Sequence, residues 1–139
     1  MTLESEITTL WDRYQTDAVD ADSADTDAYD TLDAFLDALE SGEVRAAEKR
    51  DGEWEANTWV KRGILLNFGM RAIQTFEHGG VGYHDVLPLR DTDDLPTRGT
   101  RNTPSGTVIR RGAHIGSEAI MMSPSCVKIG AHVGDGTLG

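Results

Sequence analysis

The sequence predicts an α+β N-terminal domain followed by the first coils of a parallel β-helix. Two amphipathic helical stretches and a hairpin signal carry the first part of that expectation. Five consecutive six-residue repeats from Ile109 to Leu138 carry the second. The expected boundaries are 1–89 for the N-terminal domain, 90–107 for a linker loop and 108–139 for the repeats.

Residues 3–14 place Leu3, Ile7, Leu10, Trp11 and Tyr14 at helical spacing, with Thr2 as a cap and Glu4 and Glu6 at the positive end of the helix dipole. Between Asp17 and Asp30 stand six aspartates among small residues, too polar to bury apolar surface, so a solvated interhelical loop is expected. A second helix follows, with Tyr29, Leu32, Phe35, Leu36 and Leu39 on one face and Ser41-Gly42 as its stop.

The pattern then becomes extended. Val44–Lys49 and Trp54–Thr58 flank Asp51-Gly52, a dipeptide that tolerates the positive φ angles of a tight hairpin turn. Trp59–Phe68 carries Val60, Ile64 and Phe68 four apart, which predicts a short helix on that face despite Gly63, ending at Asn67–Gly69. Beyond it the signals are a strand around Ala72–Phe76, a turn at Gly79-Gly80 and an apolar patch at Val86, Leu87 and Leu89. Arg90–Thr107 is polar, contains Pro96 and Pro104 and has neither period, so it reads as a connection.

In the repeats, Ile109, Ile115, Met121, Val127 and Val133 recur every six residues, and four after each stands a small side chain: Ala113, Ala119, Ser125, Ala131 and Thr137. A β-helix explains both sets at once. The large residue points inward, and the small one fits where the chain bends between faces. Each coil buries its faces only by stacking on another, and about three units are needed for stability. With three hexapeptides to a triangular coil, five supply less than two coils, and the next interior position is Gly139, which has no side chain. The expectation is therefore a truncated piece of a longer protein.

Charge and length exclude several classes. The 139 residues have room for roughly one ordinary domain, which runs about 100 to 150 residues, or for two small ones. Acidic residues outnumber basic ones 24 to 13, and the net charge of -11 repels nucleic acids and anionic membranes. No stretch approaches the roughly 18 apolar residues of a membrane helix, and the N-terminus is acidic where a signal peptide is basic. A cytoplasmic location is expected. A single cysteine, Cys126, makes no internal disulfide.

The segments Val-Arg-Ala-Ala-Glu-Lys-Arg-Asp-Gly-Glu-Trp (44–54) and Trp-Val-Lys-Arg-Gly-Ile-Leu-Leu-Asn-Phe (59–68), after two acidic helices, resemble tetrahydrodipicolinate N-succinyltransferase. So do Val-Ile-Arg-Arg-Gly-Ala-His-Ile-Gly (108–116), Met-Met-Ser-Pro-Ser (121–125) and Val-Lys-Ile-Gly-Ala-His-Val-Gly-Asp-Gly-Thr (127–137), which are similar to the first coils of that family's hexapeptide domain. The resemblance implies a cytoplasmic homotrimer with a left-handed β-helix, against the usual right-handed crossover. It implies succinyl transfer from succinyl-CoA to the amine of a cyclic dicarboxylate in lysine and diaminopimelate synthesis, with no metal. In the family an arginine ahead of the repeats binds the substrate carboxylate; Arg101 matches it after a one-residue shift, with Arg98 as the rival. A guanidinium suits the task because it pairs two-pronged with a carboxylate.

The family's catalytic aspartate, in Val-Asp-Thr-Trp, lies beyond the segment matching Gly134–Leu138, and Gly139 stands where the valine would be. No catalytic residue is therefore assigned within these residues, and the chain alone is expected to be inactive. Competing readings are another hexapeptide acyl-CoA-dependent N-acyltransferase and a non-catalytic product that associates through an open coil edge. His114 and His132, eighteen apart, are expected to stack one coil apart, but a third metal ligand at suitable spacing is missing. Cys126 has no evident partner for nucleophilic work, the glycines of 79–82 and 134–136 lack phosphate-loop context, and Arg110 and Arg111 read as solvated.

Overall fold

A computed structural model describes every residue from Met1 to Gly139. The chain forms two compact units, one of Met1–Phe35 with Ala46–Pro88, the other of Leu36–Arg45 with Leu89–Gly139.

The first unit is built on helices. α1 (Leu3–Gln15) starts where the Thr2 side chain accepts a hydrogen bond from the Ser5 amide, and it buries Ile7 and Leu10. The acidic stretch after it is ordered by two devices that its composition conceals. Val19 is buried, and one Asp20 carboxylate oxygen accepts from the amides of Asp22 and Ser23. The Asp25 carboxylate then accepts from the Ala28 amide, opening α2 (Thr26–Ser41), of which residues 26–35 belong to this unit. Ala28, Leu32 and Phe35 are buried there.

The first hairpin pairs β1 (Ala47–Arg50) with β2 (Glu53–Ala56); β1 runs one residue past the expected Lys49 and β2 starts one residue before the expected Trp54. Asp51 and Gly52 have φ of 51° and 80°, the twist a two-residue hairpin turn demands. α3 (Thr58–Met70) is longer than expected, and it buries a different face. The buried positions are Val60, Gly63, Leu66, Asn67 and Met70, whereas Phe68 is 46% exposed. Gly63 decides this, because a β-carbon there would collide with the Phe35 ring. Asn67 does not end the helix: its amide donates to the Gly63 carbonyl at 2.8 Å and its oxygen accepts from Arg71 Nε at 2.8 Å. Beyond Met70, β3 (Gln74–His78) and β4 (Val81–Asp85) form a second antiparallel hairpin around Gly79-Gly80, two residues later than the strand expected there.

The second unit contains the remaining strands. β5 (Arg101–Asn102), β6 (Thr107–Ile109) and β7 (His114–Ile115) pair in parallel with β8 (Ile120–Met121), β9 (Ser125–Val127) and β10 (His132–Val133) respectively. Thr107 faces Ser125, His114 faces His132, and Ile120 bridges to Leu138, each eighteen residues on. Arg101 faces Ile120, one residue further. Ile109, Ile115, Met121, Ala113 and Ala119 are buried with Leu95, and Val127 and Val133 pack against them half-buried. Segment 90–107 is thus more than a polar connection. Leu95 is 1% exposed, Pro96–Arg98 forms a 3₁₀ turn, and residues 101–102 pair as a strand. One apolar residue among polar neighbours has no period to announce it.

Candidate functional site

Segment 90–103 places the candidate arginines. Arg90, 8% exposed, grips both carboxylate oxygens of Asp94 at 3.0 and 3.1 Å and donates to the Asp91 carbonyl at 2.8 Å. That two-pronged bond holds the Asp94 carboxyl below its ordinary pKa, with burial opposing and the Arg98 charge adding a little. Arg98 stands at the end of the 3₁₀ turn, its guanidinium 3.9 Å from the same Asp94 carboxylate and its side chain 30% exposed. Arg101 is different. Its backbone amide donates to the Ala119 carbonyl at 2.9 Å, which fixes β5 against β8, while its residue is exposed. Because Arg101 faces Ile120, whose neighbour Met121 points into the core, its side chain lies on the outer face of the ladder. The guanidinium there has neither a hydrogen bond nor an ion pair. A cation so placed is open to an anionic ligand.

β5 keeps a nineteen-residue register on β8, against eighteen for the other ladders. The extra residue falls in the turn before β6, where Ser105 and Gly106 have φ of 64° and 125°.

A second charged cluster in this unit gathers on Glu40, near the end of α2. One carboxylate oxygen accepts from Arg111 at 2.5 Å and from the Gly112 amide at 2.9 Å, and the other lies 3.7 Å from Arg90 Nε. Arg111 also reaches Asp37 at 3.0 Å, so it is an ion-paired residue rather than the solvated one expected. Next to it, His114 donates from Nδ1 to the Glu40 carbonyl at 2.8 Å, since a carbonyl only accepts.

The two histidine rings stack as the spacing predicts, with centroids 4.2 Å apart and planes 23° from parallel. No group of three or more His, Cys, Asp or Glu side chains lies together in a metal-binding arrangement. His78 and His84 belong to the other unit, where the Thr75 hydroxyl meets His84 Nδ1 at 2.8 Å. Cys126 is exposed on β9 opposite Val108. No helix is long and apolar enough to cross a membrane.

Residues 2–70 match the profile of the tetrahydrodipicolinate N-succinyltransferase N-terminal domain. The chain belongs to the tetrahydrodipicolinate N-succinyltransferase family. Similarity continues through the second unit. A Caulobacter vibrioides protein named 2,3,4,5-tetrahydropyridine-2,6-dicarboxylate N-succinyltransferase is 36% identical over 146 residues, spanning 98% of this chain and 51% of its own length. A Polynucleobacter asymbioticus protein of the same name is 39% identical over 123 residues, covering 84% of this chain and 44% of its own. One from Sodalis glossinidius is 33% identical over 140 residues, covering 98% and 50%. The chain therefore spans about half the length of the curated relatives it matches.

Sequence reasoning missed three residues that build this region. Thr100 is buried, Arg90 is buried and Glu40 carries a cluster, yet each sits among polar neighbours or outside the apolar pattern. The one available signal was Glu40 itself, an acidic residue directly after the buried run Ala38-Leu39.

Proposed function

We propose that this chain forms part of an enzyme that moves a succinyl group from succinyl-CoA to the amine of tetrahydrodipicolinate, in lysine and diaminopimelate synthesis. The similarity that spans nearly the whole chain, to relatives carrying that activity in their names, carries the reading. In the transfer water adds across the ring C=N bond of the tetrahydropyridine and the ring opens to a ketone and a free amine. The amine attacks the thioester carbonyl, the C–S bond breaks as the amide forms, and the proton lost by nitrogen passes through a base to the departing coenzyme A thiolate.

Within that reading, Arg101 holds a carboxylate of the dicarboxylate acceptor. Its exposed guanidinium, unengaged by any acidic neighbour, supports the assignment; Arg98 shares the Asp94 carboxylate. The three parallel ladders are the first coils of a left-handed hexapeptide β-helix, an interpretation that the eighteen-residue register and the burial of Ile109, Ile115 and Met121 favour. Residues 1–89 are the N-terminal domain, 90–107 the segment that leads into the coils and lends them β5, and 108–139 the repeats. The enzyme works as a cytoplasmic homotrimer without a metal.

The test uses the product of the complete reading frame, with thiol release measured under succinyl-CoA and tetrahydrodipicolinate. Release that requires both substrates supports the proposal. Release with another acyl-CoA or another amine, and none with this pair, overturns it in favour of a different acyltransferase.

A further inference from the structure

Of the three buried polar residues, Asn67 and Arg90 serve local networks, and the third stands directly before the exposed arginine. Thr100 is 6% exposed. Its hydroxyl donates to the Gly116 carbonyl at 2.5 Å and accepts from the Ala119 amide at 3.3 Å. The same turn is bound on either side: the Glu118 amide donates to the Arg98 carbonyl at 3.0 Å, and the Arg101 amide to the Ala119 carbonyl at 2.9 Å. Glu118 itself adopts a φ of 55°, so the turn that receives Thr100 has a backbone that few L-residues take. A hydroxyl is the smallest group that both gives and takes a hydrogen bond at one buried point.

We infer that Thr100 is the positioning residue for Arg101. The inference rests on the reading of Arg101 as the carboxylate-binding arginine. Arg101 has a mobile four-bond side chain with nothing to hold its head, so its place is set by its backbone alone, and that backbone is pinned one residue earlier by the Thr100 hydroxyl. Arg98, on the other side of Gly99, is restrained through Asp94 and Arg90 instead. Removing the hydroxyl leaves the Gly116 carbonyl and Ala119 amide unpaired in a buried turn, and such groups open to find water. Strand β5 then loosens, and the guanidinium loses its fixed origin.

The test uses the whole chain and pyridine-2,6-dicarboxylate, a planar unreactive dicarboxylate, as the probe. Binding by calorimetry and amide hydrogen exchange at Arg101 and Thr103 are measured for the parent, Arg101→Gln, Thr100→Val and Thr100→Ser. The parent is expected to bind and Arg101→Gln to lose binding. Thr100→Val is expected to bind about tenfold more weakly and to exchange the Arg101 amide at least about tenfold faster, with both restored in Thr100→Ser. Parent-like binding or exchange in Thr100→Val, with binding still lost in Arg101→Gln, overturns the role of Thr100 alone. Absent binding by the parent, or unchanged binding by Arg101→Gln, overturns the reading of Arg101 and the positioning role with it.

Discussion

His132 sits where three unfavourable influences on its charged form meet. Burial comes first, followed by the His114 ring stacked on it and the Arg45 charge, with Asp135 alone opposing them, so its pKa lies below the ordinary value of 6.5. Its Nδ1 is buried without a hydrogen-bond partner. The unfolded chain takes up a proton near pH 6.5 and the folded chain resists it. Above that pH both states are neutral at this site and its contribution is complete. As pH falls below about 6.5, the unfolded state binds more protons and stability is lost until the folded pKa is passed. Urea unfolding at pH 7.5 and 5.5 is expected to give a lower midpoint at the acid pH, and His132→Asn to shrink that difference. An equal difference in the variant would place the effect elsewhere; the Arg90 clasp holds the Asp94 carboxyl below its ordinary value of 3.8, outside the window. The stack itself was legible in the sequence, because the eighteen-residue interval sets His132 directly opposite His114 on paired parallel strands. The Glu40 carbonyl that takes up His114 was not, since a backbone acceptor leaves no trace in side-chain pattern. Arg101 was singled out only through the family resemblance. Its freedom depends on what its neighbours bond to, and spacing does not report that.

Among the elements, α3 is the one whose face was misread, and the cause is a residue with no side chain. The apolar positions Val60, Ile64 and Phe68 suggested one stripe, while the helix buries Val60, Gly63, Leu66, Asn67 and Met70. Gly63 accepts the Phe35 ring directly on the helix backbone, and Phe35 in turn meets the Trp59 ring edge-on at 6.0 Å. A glycine that receives a ring counts as a gap in any hydrophobic pattern. The first hairpin, the turn at Gly79-Gly80 and the Thr2 cap were readable because they act locally, within three or four residues, whereas strand β4 and the Asp25 cap were not read. For an exposed helical glycine, alanine stabilises by up to about 1 kcal/mol. Here the added methyl meets an aromatic ring in a closed core, and overpacking costs about 1–3 kcal/mol. Gly63→Ala is therefore expected to destabilise, by about 1–2 kcal/mol net, in denaturant titration. A stabilised variant would mean that Phe35 turns away at little cost. Gly52→Ala, at a site with no atom within reach of a β-carbon, separates backbone strain from crowding.

At the scale of the whole chain, 24 acidic residues face 13 basic ones, and four of the arginines are engaged locally: Arg50 with Glu48 and Glu55, Arg71 with Asp33, Arg90 with Asp94, Arg111 with Asp37 and Glu40. What remains is a net charge of -11 spread over a small protein, and folding brings those charges closer together. Salt acts on both terms. It screens the repulsion over distances beyond the Debye length, which shrinks from about 30 Å at 0.01 M to about 8 Å at 0.15 M. It also weakens ion pairs, but the exposed ones contribute at most about 1 kcal/mol each and the Arg90–Asp94 clasp, with its arginine side chain 6% exposed, is shielded from it. Long-range repulsion is therefore the larger salt-sensitive term. Raising sodium chloride from 0.01 to 0.15 M is expected to increase the melting temperature by a few degrees, which calorimetry measures directly, since about 1 kcal/mol shifts a domain of this size by roughly 2–8 °C. The same increase at pH 4.5, near the isoelectric point of about 4.6, is expected to vanish. A fall in melting temperature at neutral pH would mean that the ion pairs, rather than the excess of negative charge, dominate the electrostatics of this fold.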